Sequence, residues 1–282
     1  MQNYHQIFLS WVFSTKSYWE LSYFFAISNR LRQEGHLFKP WLWTEFNDVA
    51  QIIKSIPKEK VLNFFREIDE SLKKGMQFTY PGHEHYPKSF YRMQDPPFFL
   101  NYHGKPIWHS RLGLSIVGSR EPSVSSHEWL EMQIPYVVQY FSGKVTEEGT
   151  VPRLSLVSGG ARGVDQICHS LAIRLEAPTI VFVPSGLNEI YPSNLNEIYQ
   201  SCLHYDGVFV SEFLPSQKMN KGLFARRNRL ISGISIATLI VDARRRSGTM
   251  LTAQHCATQG RALMVLPTHP FDNKGLGGLD LI

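Results

Sequence analysis

The sequence predicts an α/β protein with a doubly wound, mostly parallel sheet, preceded by a small domain of helices. Short apolar runs recur from Leu112 onward, and helix-length segments separate most of them. Buried strands that alternate with helices in this way indicate a parallel sheet covered on both faces. Before about residue 75, apolar residues recur instead at helical spacing, which predicts helices there.

The helical domain is predicted over residues 1–75. Apolar spacing predicts one helix within Leu21–Leu31, a second within Val49–Ile56 and a third within Val61–Leu72. Pro57 separates the last two, because proline lacks the N–H group that a helix interior requires. Apolar stripes of this kind are ordinarily the buried sides of helices, so they indicate a core and no particular function.

The second domain is predicted over residues 76–282. It opens with turns and extended segments, because proline-containing pairs such as Tyr80-Pro81 and Tyr86-Pro87 disfavour helix. Six strands are then predicted, at Leu114–Gly118, Leu154–Val157, Thr179–Val183, Gly207–Val210, Ala237–Val241 and Ala262–Leu266. Doubly wound sheets bind ligands at the carboxyl ends of their strands, so the residues that follow each strand are candidate binding residues.

Two of these strand ends have the composition of an anion-binding turn. The run SGGARGVD at 158–165 follows the second strand, and Ser247-Gly248-Thr249 follows three arginines at 244–246. Glycines between a strand and a helix let backbone N–H groups at the helix N-terminus face a phosphate. Neither turn has the Walker A or GxGxxG pattern, and tight packing of strand on helix is the alternative explanation of the first.

The positive charge of the chain, +5 in total, is concentrated in one region. Residues 218–246, which we call the basic region, contain one acidic residue, Asp242. Their eight basic residues are Lys218, Lys221, Arg226, Arg227, Arg229, Arg244, Arg245 and Arg246. The basic region also contains an aromatic residue, Phe224. Basic grooves with aromatic side chains, on which the bases stack, are typical of proteins that bind single-stranded nucleic acid. The alternatives are a solvated face, a core position for Phe224, and pairing of one or two arginines with Glu212 or Asp165.

Composition argues against several other classes of protein. No apolar run approaches the ~18 residues of a membrane span, and the first residues lack the features of a secretory signal. The three cysteines are odd in number and far apart, which argues against a disulfide framework or a zinc site. We therefore expect a cytoplasmic protein that does not enter a membrane.

No combination of residues predicts catalysis, so we expect no catalytic residues, no metal and no cofactor. Hydrolysis needs a nucleophile with a base, paired carboxylates or a metal cluster. His83 and His85 lie in a turn-rich segment, where a surface role is favoured over a metal site. Asp165, Glu212 and Asp242 lie near the basic strand ends, where orienting arginines is favoured over forming a catalytic acidic pair.

Motifs in a fixed order span roughly residues 80–282. They include Gly118-Ser119-Arg120, SGGARGVD at 158–165, Tyr191-Pro192-Ser193-Asn194, Ser211-Glu212, FARRNRLISG at 224–233, Val241-Asp242-Ala243 and SGTMLTA at 247–253. In order and spacing, these motifs resemble the DNA-processing protein A family, also called DprA or Smf.

The resemblance implies an extended Rossmann-like sheet in a homodimer that binds single-stranded DNA without cleaving it. It also implies protection of incoming strands and loading of the recombinase RecA in natural transformation. The family's sterile-alpha-motif-like domain would correspond to residues 1–75, and the C-terminal winged helix of many relatives is expected to be absent. The DNA contacts expected are Ser119, Arg120, Gly160, Arg162, Lys221, Phe224, Arg227 and Arg229, with Ser247, Gly248 and Thr249 from the second anion-binding turn.

Two alternatives stay open at this point. Nucleotide phosphoribohydrolases resembling the lysine-decarboxylase-like (LOG) family use a PGGxGTxxE-type turn, but the run at 247–253 lacks that glutamate. A mononucleotide sensor would use the glycine-rich turn for a single phosphate. A DNA binder differs from both, because its affinity rises with strand length and falls steeply with salt.

Overall fold

The computed structural model describes residues 4–15, 54–143, 145–146, 149–150, 152–269 and 271–282. The strands in these ranges are β1 Gln77–Thr79, β2 Leu100–Gly104, β3 Leu112–Gly118, β4 Val145–Thr146, β5 Gly149–Thr150, β6 Leu154–Ser158, β7 Thr179–Phe182, β8 Val208–Ser211, β9 Ala237–Val241 and β10 Ala262–Val265. The helices are α1 Tyr4–Ser14, α2 Lys58–Lys73, α3 Val124–Tyr140, α4 Val164–Arg174, α5 Leu195–His204, α6 Lys221–Ile234, α7 Gly248–Thr258 and α8 Leu276–Leu279.

Eight of the described strands form one sheet in the order β1-β2-β8-β7-β6-β3-β9-β10. The six strands from β8 to β10 in that order are parallel, and β1 and β2 join antiparallel beside β8. All six strands predicted from the sequence are present, so the mostly parallel α/β fold is confirmed. The strand order reverses at β3, which pairs with β6 on one side and β9 on the other.

Helices cover both faces of this sheet, as a doubly wound fold requires. Helices α3 and α4 pack through Leu130 and Leu171 on the face to which Ile116 of β3 belongs. Helices α6 and α7 pack on the opposite face, where Leu230 contributes to the cluster that contains Val117. Ile116 and Val117 thus belong to the cores on opposite faces of the sheet, because successive side chains of a strand point to opposite faces. Within the described ranges, no helix is long and apolar enough to cross a bilayer.

The described N-terminal helices share a core with the edge of the sheet. Trp11 of α1 and Phe64 of α2 belong to one buried cluster with Phe78 of β1 and Phe99. The third predicted helix is confirmed as α2, which begins directly after Pro57. The first predicted helix lies outside the described residues, as does most of the second, and the domain boundary at residue 76 stays a prediction.

Candidate nucleic-acid interface

The reversal of strand order creates a cleft between the ends of β3 and β9. Gly118 and Val241 are paired at the carboxyl ends of these two strands. The chain then leaves β3 for α3 on one face of the sheet and leaves β9 for α7 on the other. A cavity of about 400 Å³ lies here, and we call it the switch-point cavity. Of the predicted site residues it is lined by Ser119, Arg120, Phe224, Arg227, Ser247, Gly248 and Thr249.

Asp242 fixes the loop that carries Arg120. One carboxylate oxygen of Asp242 accepts a bond from the backbone N–H of Ser123 at 2.6 Å, and the other accepts one from the Ser126 hydroxyl at 2.8 Å. Asp242 is 2% exposed and adopts a left-handed backbone conformation with φ of 48°. The carboxylate therefore orients the arginine indirectly, by holding its loop against the end of β9, while the Arg120 side chain stays exposed.

The N-terminus of α7 forms the opposite wall of the cavity. The Thr249 hydroxyl donates to the carbonyl of Gly118 at 3.0 Å, which ties α7 to β3. Ser247 precedes the helix without a side-chain capping bond, and the first turn contains no acidic residue. Gly248 is exposed at this end, where the helix dipole favours an anion.

The exposed side chain of Arg244 adds a cation to the same cavity, and the predicted contacts did not include it. The run of three arginines was the available signal, but it could not distinguish among its members. The structure distinguishes Arg245 from Arg244, because the Arg245 guanidinium donates two hydrogen bonds to the Asp280 carboxylate, of 2.6 and 2.7 Å. Arg244 has no ion pair with a carboxylate in the part of the chain that the structure describes.

Two backbone N–H groups of the glycine-rich turn at 158–165 do not face outward toward a phosphate, although the sequence predicted that they would. The N–H groups of Gly159 and Ala161 both donate to a carboxylate oxygen of Asp165, at 3.2 and 3.3 Å, so these donors face inward. A Cβ atom on Gly159 would lie 1.7 Å from the Arg227 guanidinium, which supports the packing explanation for that glycine. Gly160 is buried and Arg162 is exposed, and neither lines the switch-point cavity.

Arg227 is a buried cation beneath the cavity. It is 3% exposed, and one guanidinium nitrogen donates to the carbonyl of Phe182 at 2.6 Å. Burial lowers the pKa of Arg227 to about 10, against the attraction of Asp165. Burial also raises the pKa of Asp165, although Arg227 opposes that change. Arg227 therefore contributes positive charge to the cavity from below and has little surface to offer a ligand.

Arg229 does not lie where a DNA contact would require it. It is 5% exposed, and its guanidinium donates to both Glu212 oxygens, at 2.5 and 2.7 Å, and to Asp95 at 2.9 Å. Burial by itself would raise the pKa of Glu212, but Arg229 and Arg226 hold it below its usual value. The alternative that an arginine of this run pairs with Glu212 is confirmed, and we remove Arg229 from the DNA contacts.

Phe224 lines the cavity and is only partly buried, so a core role does not account for it. The guanidinium carbons of Arg120 and Arg227 lie 5.5 and 5.8 Å from its ring centroid. The ring of Tyr191 lies 6.1 Å away, at 88° to it. Lys221 is exposed at the first position of α6, outside the cavity lining.

Among the described residues that line the cavity, Glu121 is an exposed carboxylate, Asp165 and Asp242 are buried, and none is a histidine or a cysteine. His169 is fully buried beside Thr179, and burial lowers its pKa to about 3. Burial raises the pKa of Cys202 to about 12 and that of Cys168 well above its usual value. In the ranges that the structure describes, no three His, Cys, Asp or Glu side chains are grouped so that they could hold a metal ion.

Comparison with known proteins finds relatives over most of the chain. The family model described as DNA recombination-mediator protein A matches residues 77–282. The chain is 30% identical to protein Smf of Synechocystis, over 82% of this chain and 56% of that protein. It is 33% identical to protein Smf of Escherichia coli, over 69% of this chain and 49% of that protein. The chain thus spans about half the length of these curated relatives.

Two solved structures resemble the fold. The X-ray structure of DNA processing protein A from Streptococcus pneumoniae has a TM-score of 0.65, with 24% identity over 83% of this chain and 79% of that chain. DNA processing protein A from Helicobacter pylori, studied for its single-stranded DNA binding mode, has a TM-score of 0.58 and 29% identity. That second match covers 73% of this chain and 87% of the other.

The Glu212–Arg229 pair makes a prediction about stability. Glu212→Gln keeps the shape of the side chain but leaves the buried guanidinium without its main counter-charge, so we expect a loss of about 3 kcal/mol or more in the free energy of unfolding. Urea unfolding measures this loss. The control is Asp280→Asn, which breaks the exposed pair with Arg245 and should change little. Equal, small effects of the two substitutions would contradict a structural role for the buried pair.

Proposed function

The chain belongs to the DNA recombination-mediator protein A family, and from that premise we propose that its switch-point cavity binds single-stranded DNA without cleaving it. The observation that carries the proposal is the cavity's combination of exposed cations, an open helix N-terminus and a partly exposed ring. Arg120, Arg244 and the first turn of α7 bind phosphates, and Phe224 supplies a surface for a base. Phosphate and stacking contacts distinguish bases poorly, so sequence preference is small.

Arg120 and Phe224 act together in this proposal. In the free protein both Arg120 and Arg227 lie near the Phe224 ring, and only Arg120 is exposed. A base that stacks on Phe224 displaces the Arg120 guanidinium, which then pairs with a neighbouring phosphate. Binding thus exchanges one cation–π contact for a stacked base and a charge-assisted hydrogen bond.

The wider role rests on the family. We propose a cytoplasmic homodimer that protects incoming single strands and loads RecA onto them during natural transformation. The absence of catalysis is part of the proposal, and it agrees with a cavity that, within the described residues, no histidine or cysteine lines. The volume of the cavity would also suit one nucleotide, so strand length is the property to test.

The test of this function is a series of oligo-dT lengths compared with dTMP, measured by fluorescence anisotropy at several salt concentrations. Affinity should rise with length, and its logarithm should fall with the logarithm of salt by about 0.7 per phosphate contacted. Sedimentation of the same samples reports whether the protein is a dimer. Binding of dTMP as tight as that of long strands, or release of ribose phosphate from AMP, would contradict the proposal.

Arg120→Ala should weaken oligo-dT binding about tenfold and reduce the salt slope by about 0.7, because one phosphate contact is lost. Its matched control is Arg245→Ala, an exposed arginine on the neighbouring loop that is already paired with Asp280. The control should bind nearly as the wild type does, and both variants should keep the wild-type Tm. Identical affinity of Arg120→Ala and wild type would remove this arginine from the site.

A further inference from the structure

We propose that Tyr191 forms a second position for a nucleobase, beside Phe224 on the β7 side of the switch-point cavity. This proposal rests on the proposed function and extends its site beyond the residues predicted to contact DNA. The ligand is an unpaired base of an oligonucleotide whose neighbouring base is stacked on Phe224.

The first observation is the placement of the Tyr191 ring. Tyr191 lies in the segment that follows β7, at the same edge of the sheet as the cavity, and it is 41% exposed. Its ring is perpendicular to that of Phe224, with centroids 6.1 Å apart. Scattered exposed aromatics are common on protein surfaces, but Tyr191 contacts the Phe224 ring, which lines the cavity. The two rings therefore form an aromatic corner, where each ring can stack one base in its own plane.

The second observation is that the loop behind Tyr191 is fixed. The side-chain amides of Gln166 and Asn194 make two hydrogen bonds with each other, of 2.9 and 3.3 Å. These bonds tie the loop to the first turn of α4. Leu195 packs against Gly160, where a Cβ atom would lie 2.6 Å from the leucine side chain. A loop held in place in advance loses less conformational freedom when a base stacks on the ring that it carries.

The same contacts give Arg162 a place in the site. Arg162 belongs to the glycine-rich turn that holds the Tyr191 loop, and its side chain is exposed although it does not line the cavity. In the same turn, Gly160 packs against Leu195 and Gly163 packs against the backbone of Arg120. The turn that carries this cation therefore lies between the Tyr191 loop and the Arg120 loop. A single strand that crosses this edge then meets cations and rings together, the arrangement that binds unpaired strands.

The experiment separates stacking from other effects by varying the DNA as well as the protein. Wild type, Tyr191→Ala and Tyr191→Phe are titrated with oligo-dT of about 20 nucleotides and with an abasic strand of equal length. Tyr191→Ala should bind oligo-dT about tenfold more weakly and the abasic strand unchanged, and Tyr191→Phe should match the wild type. The control is Tyr136→Ala on α3, where an exposed tyrosine should not affect either strand.

Three outcomes would overturn the proposal. Unchanged oligo-dT binding by Tyr191→Ala, with Arg120→Ala weakened, rejects the second base position and leaves the proposed function intact. Equal losses on oligo-dT and the abasic strand mean that Tyr191 only holds the loop in place. If wild type fails to bind oligo-dT at all, the proposed function fails first and this extension with it.

Discussion

The buried ion pair between Glu212 and Arg229 ties α6 to the end of β8, and α6 carries Phe224 and Arg227 into the cavity lining. Glu212 directly follows β8, and both partners are almost fully removed from water. Such a pair is tolerated only when its bonds are short and its remaining atoms are satisfied, as they are here by Arg226 and Asp95. The hydrogen bond from Arg227 to the Phe182 carbonyl attaches α6 to the end of β7 as well. The ion pair and this hydrogen bond together direct Phe224 toward the loops after β3 and β9.

The basic residues at this edge of the sheet fall into two groups, which differ in whether the protein itself engages them. Arg226, Arg227, Arg229 and Arg245 are engaged by acceptors of the protein itself. Six exposed cations at the carboxyl edge of the sheet have no carboxylate partner within the described residues, namely Arg120, Arg162, Lys218, Lys221, Arg244 and Arg246. The number of basic residues in a sequence therefore overstates the charge that is available to a polyanion.

The sequence was sufficient to predict the six parallel strands and the edge of the sheet at which the candidate site is proposed, but not the antiparallel strands β1 and β2. Runs such as Ala237–Val241 are short and apolar, and the binding edge of a parallel sheet follows from topology. The side of α6 that faces the cavity was not predictable, because arginines occur on both its buried and its exposed sides. The inward donors of Gly159 and the ring contact between Tyr191 and Phe224 are tertiary features that no local pattern encodes.

The central claim is that single-stranded DNA occupies the switch-point cavity. Hydrogen exchange with mass spectrometry, on the protein alone and saturated with oligo-dT, tests it most directly because it reports every segment at once. We expect slower exchange in residues 119–126, 222–228 and 244–250, which surround the cavity. Slower exchange confined to other segments, with these three unchanged at saturation, would contradict the assignment.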